Sequence, residues 1–451
     1  MHVRVKPVHI VGSTWHVFPR ADYKLEVTTD VEHSRARVAE LHAQLREALK
    51  SDVAFLEPAV VRRQADLLAL REDLGDADVL LVNLSGGMAV HHAGDTQGGL
   101  WGWDIPIIAF SGQYTPMMGL YSLPFAEREK HRNVTFALDA DEVDAQLRLL
   151  GVKKRLACSK VVIVGAYQCA ERLPDPEVVK RKLGVEFVSV SGAEFVQEID
   201  GVDAAAAEKA ASEWSKNATG SAEPSAAEVL EGARATLALE RVLQRAGAQA
   251  ASVGCLEIMY AQGRAPFCLA LAALRDAGLP AGCEADAGAT LTMLMLEYLA
   301  DRPAYMGNLV RADPEANLVS ISHGCSPARI AGRDRPAMPY RLVHSHSAPP
   351  FSRDESGGSG VTSYVDYGDA GQEVTVARLG ADVDELMAAR AEIADCRDTI
   401  CDRTTLSVRV RDAREFVRKA AGNHQVVVYG DYLAGLEGLC RLLDLRFRSD
   451  C

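Results

Sequence analysis

No stretch of this sequence reaches the roughly 18 uninterrupted apolar residues that a membrane-spanning helix requires. Even the most apolar segment, 281–300, carries Glu284, Asp286 and Glu297. A basic cluster is missing as well: 62 Asp and Glu outnumber 49 Lys and Arg, giving a formal net charge of -13. Neutralising a phosphate backbone needs a concentrated Lys/Arg face, so nucleic acid is excluded as a partner and a polar or neutral small molecule is expected. The opening MHVRVKPVHIVGSTWH lacks the charged head, apolar run and small-residue cleavage site of a secretory signal, so a cytoplasmic protein is expected. The 10 cysteines are therefore read as reduced thiols. Their one close pair, Cys396 and Cys401, has no second pair beside it to complete the four ligands of a closed zinc site. Only one glycine ends the run KVVIVG (160–165), so the three-glycine dinucleotide fingerprint is also absent, and a dehydrogenase is disfavoured.

What is present is ordinary globular composition, 48% hydrophobic and 25% charged over 451 residues, enough for about two or three domains. VKPVHIVG (5–12), DADVLLVNLSGG (76–87) and IPIIAFSG (105–112) read as buried strands separated by segments of helical period. A second such series starts at KVVIVGAY (160–167) and VEFVSVSG (185–192), and continues through a helix ending at Gly247 and a short strand SVGCLEIM (252–259). Farther on, RLVHSHSA, SGVTSYVDYG, QEVTVARL, TTLSVRVR and HQVVVYGD alternate in the period of antiparallel strands. The fold class expected is thus α/β, with two doubly wound parallel-sheet domains at 1–153 and 154–318 and a β-rich, barrel-like domain of about six strands at 319–451.

Chemistry-bearing residues concentrate after residue 250. Glu257 ends an apolar strand, and Glu284 and Asp286 stand at the mouth of the apolar segment, where one carboxylate is accounted for as a helix N-cap and the other is not. His323 ends the apolar run NLVSIS, and His424 immediately precedes a buried strand. Together these residues offer the oxygen and nitrogen donors of a divalent metal site of the manganese or magnesium type. His344 and His346 share one strand face by their spacing of two, without other local support for a metal pair.

These segments resemble the L-fucose and L-arabinose isomerase superfamily of metal-dependent aldose–ketose isomerases. The resemblance is carried by Cys283-Glu284-Ala285-Asp286 before Gly288-Ala289-Thr290-Leu291-Thr292, by Ala304-Tyr305-Met306-Gly307-Asn308, by Ser322-His323-Gly324-Cys325, and by Asn423-His424 before a strand ending Gly430-Asp431. It covers about 250–451 by motif, and the first 250 residues by architecture alone.

The fucose-type pattern implies manganese held by Glu257, Asp286 and His424. The arabinose-type pattern implies a carboxylate of the Glu-x-Asp segment with His323 and His424, plus a second Glu after the aromatic–Met pair, where this chain has Gly307 and Asn308. That departure favours the fucose-type set, and His323-Gly324-Cys325 also inverts the family's His-Cys-Gly order.

The activity implied is isomerisation of a sugar or polyol-like metabolite through an enediol, with Glu257 and Asp286 exchanging protons and Mn2+, or another divalent cation such as Mg2+, orienting the substrate oxygens. Trp101, Gln113, Asn308 and His346 are the expected substrate contacts, and a homo-oligomer, trimer or hexamer, is expected, with a neighbour's first domain bordering the site. Other readings keep the fold and metal for a lyase or epimerase reaction, or retain only sugar binding without catalysis.

Overall fold

Runs of Val, Leu and Ile without polar alternation need cover on both faces, which parallel strands between helices receive. The computed structural model describes residues 2–11, 53–61, 64–85, 100–110, 133–166, 173–221, 223–345, 360–368, 370–399 and 403–449, with isolated positions 43, 46, 47 and 49. The chain divides into two units, Met1–Lys154 and Arg155–Cys451.

In the first unit, β1 (Val3–Val11), β2 (Val53–Phe55), β3 (Ala59–Val61), β4 (Val79–Ser85), β5 (Ile107–Phe110) and β6 (Val134–Ala137) form one parallel sheet in the order β2-β1-β4-β5-β6. The short β2 and β3 share one edge of β1, pairing with Val3–Val5 and Val8–Ile10 respectively. Val8, Leu67, Leu80, Val82, Ile107 and Trp101 close a core on this sheet. Trp101, expected among the substrate contacts, is only 2% exposed and is a packing residue of this unit. Gln113 and the segment Gly86-Gly87 lie outside the described residues.

The second unit opens with a parallel sheet of β7 (Lys160–Val164), β8 (Glu186–Val190), β9 (Ala250–Val253) and β10 (Ala281–Cys283), in the order β10-β9-β7-β8. Its crossover helices start where reciprocal caps satisfy the free N–H groups: Ser191 with Glu194, and Ser225 with Glu228. The helix Ala226–Ala246 stops at Gly247, whose φ of 61° is the left-handed conformation glycine adopts without strain.

One strand differs from expectation. SVGCLEIM is not a continuous strand, because β9 ends at Val253 and Cys255–Gln262 is a helix. Cys255, Ile258 and Met259 are its buried residues, a helical spacing that the run of apolar letters concealed. Gly254 makes the turn possible, since a Cβ there would lie 2.4 Å from the Ala166 carbonyl oxygen.

A closed barrel follows. β11 (Tyr305–Asp313), β12 (Leu318–His323), β15 (Glu373–Leu379), β16 (Glu385–Thr399), β17 (Arg403–Arg409) and β18 (His424–Tyr429) run antiparallel in the order β15-β18-β11-β12-β17-β16, and β15 pairs back onto β16. Inward positions such as Tyr305, Ile321, Val376, Ala389, Leu406 and Val427 fill it. β13 (Tyr340–His344) and β14 (Val361–Val365), expected among the barrel strands, instead form a separate two-stranded sheet among the described residues, with one further bridge from Arg341 to Gly220, and β19 (Arg446–Arg448) extends β16 in parallel. The barrel already begins at Tyr305, so the expected boundary at 318/319 falls inside the barrel, after the first residue of β12.

The helix Ala287–Ala300 packs on β9 and β10 of the parallel sheet and on β15 and β18 of the barrel. Its residues from Ala287 to Glu297 are all buried, which explains a segment too apolar for a one-sided helix. Among the described residues, no helix is long and apolar enough to cross a membrane.

Glu297, on the last turn of this helix beside Arg333 and Asp301, is 6% exposed, and burial pushes its carboxyl up to about 7 against the pull of Arg333. The folded state therefore holds this proton more tightly than the unfolded chain does. Stability from this group is complete below the unfolded value and is lost as pH rises through about 7, by roughly 3 kcal/mol. Thermal melts of Glu297→Gln should lose this part of the slope between about pH 5 and 8. An unchanged slope would remove Glu297 as its source.

Candidate metal centre

Strand order reverses beside β7, with β8 on one side and β9 on the other, the kind of position at which open parallel sheets hold ligands outside their carboxyl ends. Three residues of the sequence reading arrive at this edge: Glu257 just after β9, and Glu284 and Asp286 just after β10. Glu257 accepts a hydrogen bond from Ala166 N at 3.0 Å. Two glycines make room for it, since a Cβ on Gly165 would stand 2.3 Å, and one on Gly192 3.0 Å, from its Oε2.

The turn after β10 separates the two carboxylates. Glu284 and Ala285 both take left-handed φ angles, 57° and 53°, a conformation costing a side-chain-bearing residue about 1 kcal/mol or more. Ala285 N donates to Val253 O and Asp286 N to Cys283 O, each at 3.0 Å, which holds the turn against that strain.

Asp286 then caps the helix Ala287–Ala300, accepting from Ala289 N at 2.9 Å. Arg378 Nη1, from β15, donates to both Asp286 oxygens at 2.9 Å, and His424 Nδ1 lies 2.9 Å from Oδ2. Asp286 and Arg378 are each 1% exposed. Burial by itself would raise the Asp286 carboxyl, but the His424 hydrogen bond and the Arg378 charge outweigh it and hold the group well below the usual carboxylate range. Gly288 and Gly422 leave space for the guanidinium: a Cβ would lie 3.0 Å from Arg378 Nη2 at the first and 2.7 Å from Nε at the second.

An ionised Asp286 only accepts, so His424 donates through Nδ1, and Nε2 is the ring nitrogen left for another partner. That Nε2 is 3.9 Å from Glu284 Oε2. His323, from the end of β12, completes the group: one ligand atom each from Glu284, His323 and His424 lies within 4.8 Å of the others. The two imidazoles have ring centroids 5.5 Å apart, and both residues are buried, whereas Glu284 is partly exposed. Register brings them together, because Asn308 of β11 pairs with His424 on one side and with Ser322 on the other, and a bulge follows at His323.

The donor set is one carboxylate and two imidazoles, which suits manganese, iron or zinc better than magnesium. The arabinose-type pattern, as the resemblance implies it, includes such a carboxylate and these two histidines, together with a second Glu that this chain lacks. The fucose-type set of Glu257, Asp286 and His424 does not appear as a ligand group among the described residues. Asp286 lies behind His424, fixing the ring as a carboxylate–histidine partner.

Sequence reasoning weighed Glu284 without choosing it as a ligand. The usable signal was the capping rule: once Asp286 is spent on the helix N-terminus, Glu284 is the carboxylate left over. Gly307 offers no room for the family's second Glu, since a Cβ there would lie 2.9 Å from Ile321 Cγ2 and 3.0 Å from the Ser322 backbone. Asn308 does stand beside the site, receiving a hydrogen bond from Asn423. His346 lies outside the described residues, and His344 faces Glu228 at 3.4 Å. Comparison with protein-family models and with curated proteins finds no match for this chain.

Proposed function

We propose that this chain is a divalent-metal-dependent isomerase of the aldose–ketose type, acting on a sugar or polyhydroxylated metabolite. One observation carries the reading: Glu284, His323 and His424, from three distant segments, meet within 4.8 Å at the carboxyl edge of a parallel sheet. Each belongs to a motif by which the sequence resembles the fucose and arabinose isomerase superfamily. A doubly wound arrangement of both parallel sheets, a cytoplasmic location and a homo-oligomer belong to the same proposal.

A divalent ion, manganese by preference, supplies at these three residues a Lewis acid that polarises a carbonyl and orients the neighbouring hydroxyl. Isomerisation also needs a group that takes a proton from the carbon beside the carbonyl and returns it to the adjacent carbon. Glu257 suits that role, because it stands on the first turn of the helix that follows β9, the strand next to β10, and one backbone N–H, from Ala166, holds its carboxylate in place. Asp286, first read as its partner in proton transfer, is better understood as a positioning residue. Its oxygens are committed to Arg378, Ala289 and His424, and it has little tendency to take a proton near neutrality. Asn308, beside His424 in the register, is proposed to contact substrate hydroxyls.

The test is incubation of metal-stripped, manganese-reloaded protein with a panel of aldoses and ketoses in deuterated water. Ketose–aldose interconversion with deuterium entering the carbon beside the carbonyl is expected, and its loss in Glu257→Gln. Failure to convert or exchange any panel member, with manganese bound, would overturn the isomerase reading. Gly307, where the family has a carboxylate, favours one alternative, a lyase or epimerase using the same site. Exchange without ketose formation would select it.

A further inference from the structure

Four cysteines from four separate elements converge in the region of His323. Cys255 and Cys268 each open a helix, Cys283 ends β10, and Cys325 follows β12. None is more than 5% exposed. The sulfurs of Cys255 and Cys283 are 3.1 Å apart. Cys325 lies beside Cys268, Cys283 and His323. One ligand atom each from Cys283, His323 and Cys325 lies within 4.8 Å of the other two. Buried thiols are common as small apolar side chains, but packing alone gives no reason for four of them to gather, two of them beside one buried imidazole.

We propose that Cys283, His323 and Cys325, completed by one of the flanking thiols Cys255 and Cys268, form a thiophilic metal site that takes zinc. Zinc–sulfur bonds of about 2.3 Å and zinc–nitrogen bonds of about 2.0 Å in a tetrahedron set neighbouring ligand atoms roughly 3.5–3.8 Å apart, inside the spacing these three residues already have. Binding exchanges thiol protons for zinc–sulfur bonds, and the protons leave to solvent. Thiolate donors prefer zinc to manganese, whereas the Glu284 group, which shares His323, is the harder one. The pocket therefore sorts metals by softness, and it stands whether or not the isomerase reading does.

Cobalt(II) titration of the reduced, metal-free whole protein tests this. A near-ultraviolet sulfur-to-cobalt charge-transfer band is expected at one equivalent. It should be displaced by zinc, retained in Glu284→Gln and abolished in Cys325→Ser. Single Cys255→Ser and Cys268→Ser variants identify the fourth ligand by which one weakens the band. X-ray absorption of the zinc-loaded wild type gives a readout that needs no variant: sulfur scatterers at about 2.3 Å are expected. Cobalt binding without the band, or bound zinc with only nitrogen and oxygen neighbours, overturns the proposal. Neither result depends on sugar turnover, so the failure of one reading is distinguishable from the failure of the other.

Discussion

Glu284→Ala is expected to purify without manganese and to bind added manganese more than about 100-fold more weakly than the wild type. The scale follows from partners one step removed from a metal, whose loss already costs roughly 10–100-fold in affinity. Glu284 belongs to the ligand group itself, and two imidazoles without the carboxylate form a poorer site for a hard cation. His323→Ala and His424→Ala should behave alike. Asp286→Asn should fall in the milder range, because an amide can keep a hydrogen bond to His424 but no longer fixes its tautomer by charge. Glu257→Gln should retain the metal and lose turnover. Elemental analysis of the purified variants and manganese titration followed by electron paramagnetic resonance separate these cases. Normal manganese binding in the Glu284 variant, with its loss in the Glu257 variant, would restore the fucose-type ligand set and refute the present one.

Arg378→Met is expected to destabilise the second unit by about 3–5 kcal/mol, the cost of leaving a buried carboxylate without its counter-charge. Arg378 and Asp286 are both 1% exposed, and the Arg378 guanidinium joins a barrel strand to the N-terminus of the central helix.

The same pair sets an acid limit. The folded carboxyl of Asp286 is held below its unfolded value, so its contribution to stability is present above about pH 4 and is lost as pH falls through the folded value. Removing both charges together, Arg378→Met with Asp286→Leu, should recover much of the loss, since a well-packed apolar pair replaces two desolvated ions. The double variant should still bind manganese weakly, because His424 has lost its orienting partner. Thermal and urea denaturation measure the first effect and metal titration the second. An Arg378→Met variant as stable as the wild type would show that water or another group screens Asp286.

Much of the fold is local information. KVVIVG is a buried strand wherever it sits, Ser225 with Glu228 starts a helix, and Gly247 stops it, because each signal acts within one helical turn or one strand. The alternating segments after residue 370 carry the barrel in the same way, and they end in strands whose inward faces share one core. The apolar letters of CLEIM misled because a short run without polar alternation suits a strand or a buried helix turn equally. Gly254 and the nearby Ala166 carbonyl decide between them.

The site divides along the same line. Sequence order supplied the carboxylates and histidines as candidates, each at the end of an apolar run. Choosing between Glu284 and Asp286 required contacts far apart in the chain: Arg378 and His424 claim Asp286, and His323 and His424 then surround Glu284. The four thiols carry no signal in their spacing at all, since Cys255, Cys268, Cys283 and Cys325 become neighbours only when the parallel sheet and the barrel are packed in one unit. Periodicity and capping are written into adjacent residues, so the strands, helices and their ends are legible one segment at a time. Which side chains share a pocket depends on strand register, barrel closure by β15 on β16 and the left-handed turn at Glu284–Ala285, and these are decided only by the long-range pairing of the folded chain.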